Sequence, residues 1–176
     1  MHSMVEISHE FLKPVLHPQA ICVDGTFGTG KDSVFFLNQK VKKVIAFEIQ
    51  KEAIDACTIT DPRFILNPAG HENMDEYIQE EIDAIIFNFG YCPGLDRSIS
   101  TKWQTSCTAV KKGLSLLKQK GRMALVLYPH EQGRIEAEKI ESMLSELDAY
   151  KYSILKMNLL NQDKSPYIIG IEKREK

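Results

Sequence analysis

The sequence has no C-x-x-C pair. Its four cysteines, Cys22, Cys57, Cys92 and Cys107, stand far apart, so neither a zinc ligand set nor a dithiol redox motif is indicated, and no metal is expected. No apolar run approaches the ~20 residues of a membrane span. Glu6, His9 and Glu10 interrupt the apolar residues of the N-terminal stretch, which does not look like a signal peptide. Cytoplasm is the expected location. A net charge of −2 lacks the positive excess that advertises a nucleic-acid binder. Repeats, low-complexity tracts and linkers are missing too, which excludes solenoids and arrays. What remains, 176 residues with 43% hydrophobic and 26% charged, is the composition of a soluble globular protein, expected to form a single domain over 1–176.

One more absence is informative. The run Val23-Asp24-Gly25-Thr26-Phe27-Gly28-Thr29-Gly30-Lys31-Asp32 places glycines at 25, 28 and 30, but position 33 is Ser. The G-x-G-x-x-G fingerprint of dinucleotide-binding oxidoreductases is therefore incomplete, which argues against an NAD enzyme. The run follows the apolar segment Ala20–Val23 and opens an amphipathic one, so it reads as a strand–loop–helix junction whose glycines admit a ligand close to the backbone. The next apolar run, Val44-Ile45-Ala46-Phe47, ends in Glu48. An acid about 20 residues beyond the glycine loop is where a Rossmann-type fold puts its ribose-binding carboxylate. Strand, acid–glycine loop, helix, strand, acid is the pattern of an S-adenosylmethionine (SAM) site.

Apolar β-type runs alternate with helical patterns along the chain, which predicts an α/β fold with a mostly parallel sheet covered on both faces. A helix is expected near 3–16, ended by Pro14 and Pro18. Strands are expected near 20–24, 43–48, 63–67, 83–88, 123–128, 150–160 and 167–172, and helices near 31–40, 50–58, 102–120 and 131–147. Gly121 reads as a helix C-terminal glycine, and Ile135, Ile140, Met143, Leu144 and Leu147 as the core stripe of the last helix. The turn-rich loop Asn161–Pro166 joins the last two strands as an antiparallel hairpin. The sum is a Rossmann-like, seven-stranded class I methyltransferase fold with a C-terminal antiparallel hairpin.

In such a sheet ligands sit beyond the carboxyl ends of the strands. After the first strand, loop amides can hold the methionine carboxylate of SAM, and an acid can hold its ammonium. Asp24 is the better acid for this and Asp32 the second, although Asp32 could simply cap a helix. After the second strand, Glu48 can accept both ribose hydroxyls, with Gln50 close by. After the third, His71 and Glu72 could border the adenine; alternatively, Glu72 and Asn73 merely begin a helix. After the fourth, Asn88-Phe89-Gly90-Tyr91-Cys92-Pro93-Gly94 occupies the position of the Asn-Pro-Pro-Tyr loop of amino-group methyltransferases, where an Asn accepts from the target amine and an aromatic ring stacks on the base. Aligning a neutral amine suffices there, because SAM is already activated. After the fifth, His130 is the titratable group near neutrality. Between Arg97 and Arg122 every charge is basic, and between Glu72 and Asp83 every charge is acidic. The basic run could meet phosphates or be an ordinary solvated face.

Several stretches recur in a known order: the glycine loop, Phe47–Gln50, Gly-His-Glu-Asn-Met (70–74), Asn88–Gly94, Asp-Arg-Ser-Ile-Ser-Thr-Lys (96–102), and Leu-Asn-Gln (160–162) before Ser165-Pro166. They resemble the bacterial "putative rRNA methylase" family, whose characterised Gram-positive members methylate tRNA. The resemblance covers nearly the whole chain. It implies a SAM-dependent methyltransferase acting at the anticodon of tRNA, converting 5-aminomethyl-2-thiouridine at wobble position 34 to 5-methylaminomethyl-2-thiouridine. It also implies a cofactor set of Asp24, Gly28, Thr29, Gly30, Asp32, Glu48, Gln50, His71 and Glu72, and an acceptor side of Asn88, Tyr91, Asp96 and residues 98–101. This chain departs from the family at Gly25 (usually Ala), Thr29 (Asn), Lys31 (His) and Glu48 (Asp), and lacks the His-Gly-His-rich segment common around His130. Other readings are a methyltransferase for rRNA or a small-molecule amine, and a non-catalytic SAM-binding protein. A small domain offers tRNA little surface, which a homodimer could extend.

Overall fold

The computed structural model describes residues 2–90, 94, 98–129 and 133–175. Helix α1 (Met4–Leu12) starts at a capping box: Ser3 Oγ accepts from the Glu6 N–H, and the Glu6 carboxylate accepts from the Ser3 N–H. Pro14, which has no N–H to offer the helix, lies in the 3-10 turn Lys13–Val15 that follows. There follow β1 (Ile21–Asp24), α2 (Lys31–Asn38), β2 (Lys43–Phe47), α3 (Lys51–Asp55) and β3 (Phe64–Asn67). A 3-10 turn at His71–Asn73 leads into α4 (Met74–Tyr77), β4 (Ile82–Asn88), α5 (Trp103–Leu116) and β5 (Leu117–Leu127). Helix α6 (Gly133–Ser145) and strands β6 (Tyr152–Met157) and β7 (Tyr167–Lys173) complete the fold.

The seven strands form one sheet in the order β3-β2-β1-β4-β5-β7-β6. Strands β1 to β5 pair in parallel, while β7 runs antiparallel to both β5 and β6. This is the expected class I methyltransferase sheet with its C-terminal hairpin. Strand order reverses between β1 and β4, which opens a crevice at their carboxyl ends. Alternation along the strands sorts the core into two layers. Val23, Ile45, Ile85, Phe87, Met123 and Leu125 face α4, α5 and α6, whereas Cys22, Val44, Ala84, Ile86 and Ala124 lie under Leu12 of α1 and Phe36 of α2. Cys22 is thus plain core, and burial pushes its thiol pKa up.

Two expectations are corrected. Gly121 does not end a helix: α5 passes straight into β5 at Leu117, and Gly121 lies inside that strand. Ile82 pairs with Leu117 but Ala84 with Arg122, so residues 118–121 bulge out of register. Lys120 takes the left-handed turn at φ 65°. Lys118 reaches back 3.0 Å to Asp83, whose carboxylate also accepts from the Ile21 N–H. In α6 the expected stripe holds at Ile140, Met143, Leu144 and Leu147 and fails at Ile135. Ile135 is 51% exposed, while Glu136, Ala137, Ile140 and Leu144 are buried.

The two one-signed charge runs meet. Lys112 pairs with Asp75 and Lys118 with Asp83, while Lys120 and Arg122 pair with Glu175 and Glu172. These four cations of the basic run are therefore matched by acids of the same molecule. Among the described residues no helix is long and apolar enough to cross a membrane.

Candidate active site

The loop between β1 and α2 is shaped by its own acids. Asp24 ends β1 fully buried. Its Oδ1 accepts from the Thr26 N–H at 3.2 Å and its Oδ2 from Ser33 Oγ at 2.7 Å. Loss of water around it, with Asp32 as a second carboxylate nearby, pushes its pKa up to about 7. Gly30 holds the left-handed conformation (φ 80°) that starts α2, and a Cβ there would come within 2.8 Å of the Phe27 ring.

Glu48 lies beyond the end of β2 and ties that strand to the glycine loop. Its Oε2 accepts from the Gly28 N–H at 2.8 Å, and its Oε1 accepts from the N–H groups of Ile49 and Gln50, each at 2.9 Å. Gln50 is buried, and Thr29 is exposed at the loop crest. Ile49 is 65% exposed directly beside the Glu48 carboxylate. An apolar side chain is thus held out next to this carboxylate. The sequence signal was an apolar residue immediately after the acid.

His71 is buried against the edges of Phe87 and Phe89. Its Nδ1 lies 2.9 Å from the Gly25 carbonyl. A carbonyl only accepts, so Nδ1 carries the proton and Nε2 is left as an acceptor. Burial lowers the imidazole pKa, which keeps the ring neutral. Glu72, beside it, opens the 3-10 turn with its carboxylate over Gly70.

Asn88 ends β4. Its backbone N–H donates to Thr26 Oγ1 at 2.7 Å, and its Nδ2 donates to Asp32 Oδ2 at 2.5 Å. Its Oδ1 is buried with no hydrogen-bond partner among the described residues. A buried carbonyl oxygen without a donor is costly, and calls for a donor from a ligand. Asp32 is also 2.6 Å from His9 Nε2. After Asn88 the chain is pinned at Gly90, whose N–H donates to Thr101 Oγ1 while its carbonyl accepts from the Thr101 N–H, both at 2.8 Å. Thr101 Oγ1 and Ser106 Oγ donate in turn to the buried Glu136, whose carboxyl pKa burial raises. Tyr91, Cys92, Asp96 and His130 lie outside the described residues.

The structure thus gathers Asp24, Gly28, Gly30, Asp32, Glu48, Gln50, His71 and Asn88 at the carboxyl edge of β1, β2 and β4. A cavity of about 330 Å³ opens on the α3 side of the loop, lined by Phe27, Gly28, Thr29, Ala53, Cys57 and Ile59. It takes in the loop crest but not Glu48, His71 or Asn88, which lie at the strand-end crevice instead. His9 and Glu136 are the members the sequence reading missed. Glu136 carried a signal, standing four residues before Ile140 on the buried stripe. His9 carried none, because its partners come from α2.

These residues fit SAM. The crevice offers a glycine loop, an acid at the end of β2 and an orphaned acceptor at the end of β4. A sheet of this order with such a crevice defines a class I SAM-dependent methyltransferase. The sequence profile of the family described as "Putative rRNA methylase" matches residues 44–172, and the chain belongs to that family. A structure described as a "putative rRNA-methylase" from Clostridium thermocellum matches with a TM-score of 0.93 at 33% identity, covering 98% of both chains. A "putative methyltransferase" from Streptococcus mutans, crystallised in complex with SAH, matches with a TM-score of 0.90 at 34% identity, covering 98% of this chain and 99% of that one. The chloroplastic tRNA (mnm(5)s(2)U34)-methyltransferase of Arabidopsis thaliana is 29% identical over 189 residues, spanning 97% of this chain and 69% of the relative. Among the described residues no group of three or more His, Cys, Asp or Glu is placed to hold a metal ion.

Proposed function

We propose that the enzyme N-methylates a primary amine on tRNA, converting 5-aminomethyl-2-thiouridine at position 34 to its 5-methylaminomethyl form. The observation that carries this reading is Asn88 Oδ1, a buried acceptor without a partner among the described residues at the end of β4. It suits an N–H of the incoming amine and leaves the nitrogen lone pair free. SAM supplies a methyl group on a positively charged sulfur, already activated for transfer to such a nitrogen. Its holders are Gly28, Thr29 and Gly30 through the loop, Glu48 and Gln50 toward the ribose, and Ile49, His71 and Glu72 around the adenine. Asp24 shapes the loop by holding the Thr26 N–H and the Ser33 hydroxyl. On the acceptor side Asn88 aligns the amine, with Tyr91 as the ring that stacks on the base and Asp96 beside it, as the family resemblance implies. The Arabidopsis relative's name supports tRNA as the carrier.

The test is methyl transfer from labelled SAM to bulk tRNA from cells lacking the gene, with nucleosides identified by mass spectrometry. Appearance of 5-methylaminomethyl-2-thiouridine is the expected result. No incorporation by protein that binds SAM would reject tRNA as the acceptor. A free small-molecule amine is the second reading, favoured by the ion pairing of Lys112, Lys118, Lys120 and Arg122, which leaves less free positive charge for an RNA backbone. Methyl transfer that occurs only with intact tRNA would eliminate it.

A further inference from the structure

We infer that His9, on the N-terminal helix, is a positioning residue for methyl transfer, acting through Asp32 to fix which end of the Asn88 amide meets the acceptor amine. The inference rests on the reading of Asn88 as the residue that receives that amine. Three side chains from three separate elements form one chain of hydrogen bonds. His9 Nε2 lies 2.6 Å from Asp32 Oδ1, and Asn88 Nδ2 lies 2.5 Å from Asp32 Oδ2. The side chains of His9 and Asp32 are 16% and 7% exposed, and Asn88 Oδ1 is buried.

The chemistry of each member dictates the next. An ionised carboxylate only accepts, so the Asn88 amide must turn its NH2 toward Asp32. The carbonyl oxygen then points the other way, where it has no partner among the described residues. The reverse orientation would present NH2 to the amine, facing its N–H groups or engaging the lone pair that attacks the methyl group. Asp32 must therefore stay in place as an acceptor. His9 supplies a donor to its other oxygen. The ring is itself immobilised by stacking on Phe35 of α2, with centroids 3.9 Å apart and planes within 2°. His9 is thus pre-oriented on the helix whose first turn carries Asp32.

Stacking and donation can be separated by substitution. His9→Phe keeps an aromatic ring against Phe35 but removes the donor. His9→Gln keeps an N–H donor and gives up the ring. With tRNA from cells lacking the gene as substrate, His9→Phe is expected to lower kcat by about 10-fold or more, the scale of a small misplacement of a reacting group. KM for SAM and SAM affinity by titration should stay within about 2-fold, since the cofactor-holding residues are unaltered. His9→Gln should restore most of kcat. In the 15N spectrum, the side-chain amide protons of Asn88 should move in His9→Phe and return toward their native positions in His9→Gln, a readout that needs no turnover. Native kcat with unmoved amide resonances in His9→Phe would overturn the inference, as would an equal loss of SAM affinity and kcat. Asn88→Ala serves as the control. If it keeps native kcat, the reading of Asn88 fails and this inference with it. If it loses kcat while His9→Phe does not, only the role of His9 fails.

Discussion

Asp24 sits among neighbours that oppose its ionisation: it is fully buried and shares its loop with Asp32. Its folded pKa of about 7 stands above the ordinary 3.8, so between those values the unfolded chain has lost a proton that the folded chain retains. Stability contributed by this group therefore falls as pH rises from about 4 to about 7, and is flat above that. Asp24→Asn keeps the shape and a carbonyl acceptor for the Thr26 N–H, and abolishes the titration. Its melting temperature should change less than that of the native protein between pH 5 and 8, measured by differential scanning fluorimetry. Identical slopes for the two proteins would contradict the burial argument. The identity of Asp24, Glu48 and Asn88 as strand-end polar residues was legible in the sequence, because each terminates an apolar run. What Asn88 binds was not, because its partners Thr26 and Asp32 come from a loop and a helix remote in sequence.

At the scale of elements, the apolar runs placed the central parallel strands, which have no polar face to obscure them, while the hairpin of β6 and β7 was marked by its turn-rich loop. The boundaries that failed are those set by tertiary contact. Gly121 looked like a helix end, yet the bulge at 118–121 is held by Lys118 on Asp83, a contact no local pattern announces. Helix α6 misled only at Ile135, because a carboxylate, Glu136, occupies the core position beside it, where the hydroxyls of Thr101 and Ser106 satisfy it. The start of that helix is tightly fitted as well. A Cβ on Gly133 would lie 2.0 Å from the Tyr128 carbonyl oxygen, a backbone atom with little freedom to yield. Gly133→Ala should therefore shift α6 and cost about 1–3 kcal/mol, in the range of overpacking strain. Urea unfolding at fixed pH measures it, and a change below about 0.5 kcal/mol would mean that the helix start is freer than this contact requires.

For the whole molecule, Arg122 holds the two ends of the chain together. Its Nη1 donates to the Phe11 carbonyl of α1 at 2.8 Å, its Nε donates to Glu172 of β7 at the same distance, and its guanidinium lies 4.9 Å over the Phe11 ring. Arg122→Ala should cost about 1–2 kcal/mol, a charged hydrogen bond plus packing of its stem. Because α1 carries His9, hydrogen exchange of the α1 amides should accelerate and kcat should fall with it, while β2 and β3 exchange as before. Uniform acceleration across the sheet would indicate general destabilisation instead of release of one helix.

The packing of α1 also has a consequence in time. This helix is made before the strands β5 and β7 on which it docks, and a ribosome adding ~5–20 residues per second separates the two events by many seconds. Until residues 117–173 have emerged, α1 lacks the two strands against which most of it packs, and an isolated helix of nine residues is not stable in water. The nascent chain can close its first strands and glycine loop early, while β5 and β7, which hold α1, arrive last. With His9 acting as inferred above, a chain stopped before β7 is expected to hold α1 less firmly and to transfer methyl groups more slowly than the whole chain.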